Sequence, residues 1–142
     1  MKVSLITVTY NSSAYLEECI KSVMAQNFPR IEHIIVDGAS TDGTLDIIKK
    51  YEGNITKWVS EKDYGMYDAI NKGIAMATGD IVGILNSDDM FASNDVIEAI
   101  VNCFHEHKLD AVYGDLVYVN KTNTSRVIRL WKGFAYNRFR FN

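Results

Sequence analysis

The chain has 142 residues, 47% of them apolar and 23% charged, with a formal net charge of −3. That length carries one domain with a real core, the composition is that of a soluble globular protein, and the charge leaves no electrostatic footprint for nucleic acid. No apolar block opens the chain as a signal peptide would, none is long enough to span a bilayer, and the two cysteines, Cys19 and Cys103, match no metal-ligand or redox spacing and read as reduced core residues of a cytoplasmic protein.

In chain order, Val3 to Thr9 is β-branched and reads as a first strand. Asn11-Ser12-Ser13 offers N-caps for a helix with Leu16, Cys19, Ile20, Val23 and Met24 on one face. Ile31 to Val36 reads as the second strand, ended by Asp37-Gly38, and Ser40 to Gly43 as a turn and cap before a helix carrying Leu45, Ile47, Ile48 and Tyr51. Gly53-Asn54 breaks that helix, and Ile55 to Ser60 is a short strand ending in Glu61-Lys62-Asp63. A helix from about Met66 to Ala77 buries Met66, Ile70, Ile74 and Ala77, and Gly79 stops it. Ile81 to Leu85 reads as a central strand buried on both faces. Ser93 caps a helix with Val96, Ile97, Ile100, Val101 and Phe104 buried, and Ala111 to Val119 turns through Asn120 to Thr124 into Ser125 to Leu130 as a hairpin.

Strands alternating with helices imply βαβ units, an α/β fold with a Rossmann-like, doubly wound, mainly parallel sheet and a C-terminal antiparallel hairpin or extension. In such a sheet the four strand ends Thr9-Tyr10-Asn11, Asp37-Gly38, Glu61-Lys62-Asp63 and Asn86-Ser87-Asp88-Asp89 share one edge, where ligands bind. Taken alone, Ser87-Asp88-Asp89 is a solvated loop and helix-start signal. Its company turns it into a site, because random surface acids would not all choose one edge. Two adjacent carboxylates call for a cation, and Mg²⁺ or Mn²⁺ arrives with a substrate's phosphates. Neither G-x-G-x-x-G nor G-x-x-x-x-G-K-S/T occurs, so a dinucleotide bound in the usual manner is not expected and a P-loop is excluded. A stacking ring at Tyr10, acids for base and ribose, and a metal-bound diphosphate compose a site for a nucleoside diphosphate carrying a transferable group.

These residues resemble the family-2 glycosyltransferases of GT-A fold. The resemblance runs through Thr9-Tyr10-Asn11, Val36-Asp37-Gly38-Ala39-Ser40-Thr41-Asp42-Gly43-Thr44 and Asn86-Ser87-Asp88-Asp89. Glu61 to Gly73, Glu-Lys-Asp-Tyr-Gly-Met-Tyr-Asp-Ala-Ile-Asn-Lys-Gly, resembles a bacterial surface-polysaccharide branch of that family. The resemblance covers residues 1 to about 120, a nucleotide-diphospho-sugar-binding core, and leaves 121–142 as the start of an acceptor-side region. It implies inverting transfer of a sugar from a nucleoside-diphosphate donor, commonly a UDP-sugar, to a saccharide or lipid-linked acceptor, with Mg²⁺ or Mn²⁺ on the diphosphate. By the same resemblance Thr9, Tyr10 and Asn11 line the nucleotide, with Tyr10 on the base. Asp37 bonds the base, and Asn86 and Asp88 hold ribose. Asp89, with Asp88, holds the metal. Asn86 stands where many members have Asp, and Gly38-Ala39 where the family often shows Asp-Gly, which removes a second acid beside the base. Asp68 and Lys72 are either donor contacts or solvated positions on an amphipathic helix.

Inversion needs a general base for the acceptor hydroxyl. Asp115, the last carboxylate, is the only remaining candidate and reads equally as a strand-end acid near Gly114, so the expectation is a chain without its base. The aromatic and basic stretch Trp131 to Asn142 reads as an acceptor-side element cut short; as a surface it offers membrane contact, at the inner face, or self-association. Two other classes compete. A module that holds nucleotide-sugar without transferring it shares every donor feature, whereas a receiver-like signalling domain would place paired acids where this chain has Thr9-Tyr10-Asn11.

Overall fold

A computed structural model describes residues 1–133. The strand β1, Val3–Thr9, is buried along its whole length. Its alternate side chains feed two layers, as the period of two requires. Ile6 and Val8 join Ile34, Val36 and Ala69 on one face, while Leu5 joins Cys19, Val23 and Leu85 on the other. Each fully buried Ile or Leu contributes about 2 kcal/mol, so this strand anchors both cores.

The elements follow as α1 (Leu16–Met24), β2 (Ile31–Asp37), α2 (Thr44–Lys50), β3 (Lys57–Ser60), α3 (Met66–Met76), β4 (Ile81–Ile84), α4 (Val96–Glu106), β5 (Leu116–Asn120) and β6 (Asn123–Trp131). Two compact units divide the chain, Met1–Asn102 and Cys103–Asn142. In the first, the sheet order is β3-β2-β1-β4 with every pairing parallel. The chain builds outward from β1 through β2 and β3, then returns to lay β4 on the other side of β1. A doubly wound sheet opens a crevice at such a reversal. The α/β expectation therefore holds, and the antiparallel β5–β6 hairpin supplies the C-terminal extension. Asn120 Oδ1 builds the hairpin turn by accepting the N–H groups of Thr122 and Asn123.

Local readings shift in several places: Met24, read on the buried face of the first helix, is exposed, and the strand read from Ala111 begins only at Leu116. The run Ile81 to Leu85, expected to be central and buried on both faces, forms a sheet edge among the described residues, with Val82 and Ile84 exposed. On α3, Met66 and Ile74, expected in the core, are exposed, and the small residues Ala69 and Gly73 are buried instead. A β-carbon on Gly73 would lie 2.5 Å from Ile6 Cγ2. The helix is drawn in by its smallest residues, because these let its backbone approach the sheet. The expected caps also act elsewhere. Asn11 Oδ1 accepts the Thr41 N–H, and the Ser93 hydroxyl donates to Asp95; the Ile97 N–H at the start of α4 is accepted by Gln26 Oε1, from the distant α1–β2 loop.

At the amino-terminal end of the strands, Glu32 is a buried carboxylate held by Ser4 and Thr78 hydroxyls, the Thr78 N–H, and ion pairs of 3.1 Å to both Lys2 and Lys57. Burial pushes its carboxyl up, but these donors outweigh burial and hold it well below the ordinary range. Cys19 and Cys103 are both free, and burial pushes the Cys19 thiol up to about 12, so it is inert. Among the described residues no helix is long and apolar enough to cross a membrane. The aromatic tail read from Trp131 onward lies outside the described residues beyond 133.

Candidate functional site

Parallel pairing places the carboxyl ends of β1 and β4 side by side. Between them lies a cleft of about 570 Å³, a size that suits a small-molecule ligand. Its walls come from Val8 to Ser12 at the end of β1 and just beyond it, Tyr15 before α1, Asn86 to Asp88 after β4, and Asp63, Gly65, Met66 and Ala69 around the start of α3. Of the residues singled out in sequence, Thr9, Tyr10, Asn11, Asn86 and Asp88 line it together. Asp37, Asp68 and Asp89 are not in the lining.

The loop after β1 owes its shape to the Ser40–Thr44 turn. Asn11 and Ser12 donate their N–H groups to the hydroxyls of Ser40 and Thr44, at 2.8 and 2.9 Å, and the Ser13 N–H reaches Asp42. Asn11 and Ala39 both have positive φ, 49° and 63°, a conformation that side-chain-bearing residues adopt at a cost. The hydrogen bonds hold that strain. Tyr10 is thereby presented with 64% of its surface exposed, a free ring face at the mouth of the cleft. Thr9 lines the cleft too, but its hydroxyl is buried and has no partner among the described residues.

Asp37 is the support beneath this loop. It is fully buried, and its carboxylate accepts from the Ser40 hydroxyl (2.5 Å), the Ser40 N–H (3.0 Å) and the Ser60 hydroxyl (2.6 Å). The acid expected at the base instead ties the ends of β2 and β3 to the Ser40 turn. Asp68 is likewise engaged: its Oδ2 accepts the Tyr64 N–H and pairs with Lys72. Those two contacts, in that order, hold its carboxyl below the ordinary range. Lys72 also pairs with Glu61 at 2.8 Å and donates to the Lys62 carbonyl. Asp68 and Lys72 therefore brace the Glu61–Gly65 loop.

That loop delivers Asp63, which the sequence places at the ligand edge only as part of a strand end and to which it gives no role of its own. Asp63 Oδ1 accepts the Gly65 N–H at 2.8 Å, while Oδ2 stands 2.6 Å from where a β-carbon on Gly38 would be. The same β-carbon would meet the Tyr10 ring at 3.4 Å. The signals in sequence were an acid at a strand end and a glycine leaving room opposite, but their pairing is a tertiary fact.

After β4, Asp89 closes a turn on the Asn86 carbonyl, and Asn86 Nδ2 donates to Asp89 Oδ2 at 3.3 Å. Burial first, and then the neighbouring charge of Asp88, push the Asp89 carboxyl above its ordinary range; the Asn86 amide opposes them. Strained anionic charge of this kind is what a divalent ion relieves. Among the described residues no group of three or more His, Cys, Asp or Glu could hold a metal. The donor set fits an ion that takes two protein carboxylates and completes its shell with phosphate oxygens, not an all-protein cage. Asp115 belongs to the second unit, where its Oδ1 accepts the Gly133 N–H.

Residues 4–142 match the model of glycosyl transferase family 2. The chain is 43% identical over 100 residues to an uncharacterized glycosyltransferase of Mycobacterium tuberculosis, covering 70% of this chain and 38% of that protein. It is 36% identical over 118 residues to a PGL/p-HBAD biosynthesis glycosyltransferase of Mycobacterium bovis, covering 80% and 46%. Among solved structures it resembles S. aureus TarS 1-349 in complex with UDP-GlcNAc, with a TM-score of 0.69, 31% identity and coverage of 76% of this chain and 32% of that one. The mannosyltransferase PcManGT from Pyrobaculum calidifontis, in complex with GDP-Man and Mn²⁺, gives a TM-score of 0.69 at 28% identity, with coverage of 83% and 35%. The chain thus spans less than half the length of each of these relatives.

Proposed function

The chain belongs to glycosyl transferase family 2, and on that premise we propose that its cleft binds a nucleoside-diphosphate-sugar, a UDP-sugar by preference, for transfer to a saccharide or lipid-linked acceptor in cell-surface polysaccharide synthesis. One observation carries the reading: the loops after β1 and β4 meet at the reversal of strand order and bring Tyr10, Asn86 and Asp88 into the lining of one cleft. Tyr10 stacks on the base, Asn86 and Asp88 bond the ribose, and the diphosphate lies towards the Asp88-Asp89 turn. Asp89, with Asp88, would hold Mg²⁺ or Mn²⁺, which would supply charge neutralisation to the leaving diphosphate. The relatives bound to UDP-GlcNAc and to GDP-Man with Mn²⁺ support donor and metal by likeness. The relative named for PGL/p-HBAD biosynthesis supports the acceptor class in the same way.

Inversion by direct displacement belongs to the same proposal. Its general base is not assigned to Asp115, whose carboxylate already closes the base of the hairpin. A cytoplasmic site at the inner face of the membrane suits such an acceptor. The test is calorimetric titration with UDP, UDP-sugars and GDP-mannose, each with Mn²⁺ and with a chelator. Micromolar binding of at least one donor in Mn²⁺ is expected; no binding of any of them under either condition would sink the reading.

A further inference from the structure

Asp63 has one carboxylate oxygen committed and one free. Oδ1 is taken by the Gly65 N–H, and the Glu61 and Asp68 pairs to Lys72 fix the loop around it. No hydrogen bond is made to Oδ2 among the described residues. It lies over Gly38, in the volume a side chain there would fill, beside the Tyr10 ring and within the cleft lining. Asp37, the nearest acid on the strand itself, is fully buried and bonded to three donors, so it has nothing to offer a ligand.

We propose that Asp63 reads the nucleobase: with a base stacked on Tyr10, Oδ2 accepts the ring N–H of a uracil-type imide. Gly38 is small so that this carboxylate can reach the base from the neighbouring loop. The inference rests on the nucleotide-sugar reading of the cleft and adds the residue that decides which nucleotide enters. A single free oxygen matches the single N–H of uracil. Guanine presents two adjacent donors and is best met by two free oxygens, one of which Gly65 has already occupied. Cytosine and adenine place an acceptor at the corresponding ring position, and a carboxylate repels it. A charge-assisted hydrogen bond of this kind changes affinity by about 10- to 100-fold.

The experiment measures binding of UDP, N3-methyl-UDP, CDP and GDP in Mn²⁺ to the full chain, to Asp63→Asn and to Asp63→Ala. Asn keeps an oxygen for the Gly65 N–H, so its fold serves as the control for the loop. The full chain is expected to prefer UDP to the other three by about tenfold or more. Asp63→Ala should level these preferences. Asp63→Asn should move the preference towards CDP, because the amide N–H can donate to cytosine N3. Retention of the full UDP preference in both variants would overturn the role of Asp63 while leaving the nucleotide site intact. Absence of binding by any nucleotide to the unmodified chain would instead overturn the underlying reading, and this proposal with it. A carboxylate returned from the other side, Gly38→Asp in the Asp63→Ala background, is expected to restore UDP preference; failure of that restoration in a folded, UDP-binding protein also counts against the assignment.

Discussion

The Asn11 N–H donates to Ser40 Oγ at 2.8 Å, and the same hydroxyl donates to the buried Asp37 carboxylate at 2.5 Å. Through this chain a fully buried acid beneath the sheet edge sets the backbone that presents Tyr10. Removing the acid leaves Ser40 and Ser60 without their acceptor.

Asp37→Ala should therefore cost on the order of 3 kcal/mol, the range for losing a buried charged hydrogen-bonding group. It should also weaken donor binding, although Asp37 is not in the cleft lining. Chemical denaturation and UDP titration together check this. Unchanged stability with lost UDP affinity would mean that Asp37 meets the ligand directly.

Asp89→Asn should behave in the opposite way. The carboxyl is pushed up by burial and by Asp88, so neutralising it relieves repulsion, and stability should change by no more than about 0.5 kcal/mol. Mn²⁺-supported UDP affinity should fall at least about 10-fold, the loss seen when even an outer partner of a metal ligand is disturbed. Equal UDP affinity with Mn²⁺ and with chelator in the unmodified chain would remove the metal from the assignment.

Glu32 tests the amino-terminal end of the strands. It is 2% exposed and holds Lys2, Lys57, Ser4 and Thr78 together. Glu32→Ala leaves two half-exposed ammonium groups beside each other without their carboxylate, and the Ser4 and Thr78 hydroxyls without their acceptor, and should destabilise by about 3 kcal/mol. Donor binding at the remaining folded fraction should be unchanged, since the network lies at the opposite end of the strands from the cleft. Calorimetric melting beside UDP titration separates the two effects.

His33 gives the chain a pH dependence of known sign. It is buried on β2, Nε2 bonded to the Thr7 hydroxyl and Nδ1 without a partner among the described residues. Burial pushes its pKa from 6.5 down to about 4. Between these values the unfolded chain takes up the proton and the folded chain does not, so stability falls as pH drops from about 6.5 to about 4 and levels off below. The total is on the order of 3 kcal/mol. Denaturation midpoints at pH 7, 6, 5 and 4.5 should show the slope in the native chain, and His33→Leu should lose this part of it. An equal slope in both would place the titration elsewhere.

The order of elements was legible because it is written in near neighbours: β-branched runs at Val3 to Thr9 and Ile31 to Val36 and helical spacing at Leu16, Cys19 and Ile20 need only local geometry. Alternation then forced parallel strands, and parallel strands forced Thr9, Asp37, Ser60 and Asn86 towards one edge. What sequence did not contain was the number of neighbours each element has and which loops touch. An apolar run at Ile81 to Leu85 is a strand whether or not its outer side is covered, and its place beside β1, at an edge among the described residues, was settled only by pairing. The buried face of α3 was settled by how closely Gly73 lets the helix approach Ile6. Of the acids gathered at the edge, Asp37 and Asp63 look alike in sequence. Tertiary structure divided them, because Ser40 and Ser60 consume one carboxylate and the absent side chain of Gly38 leaves room for the other.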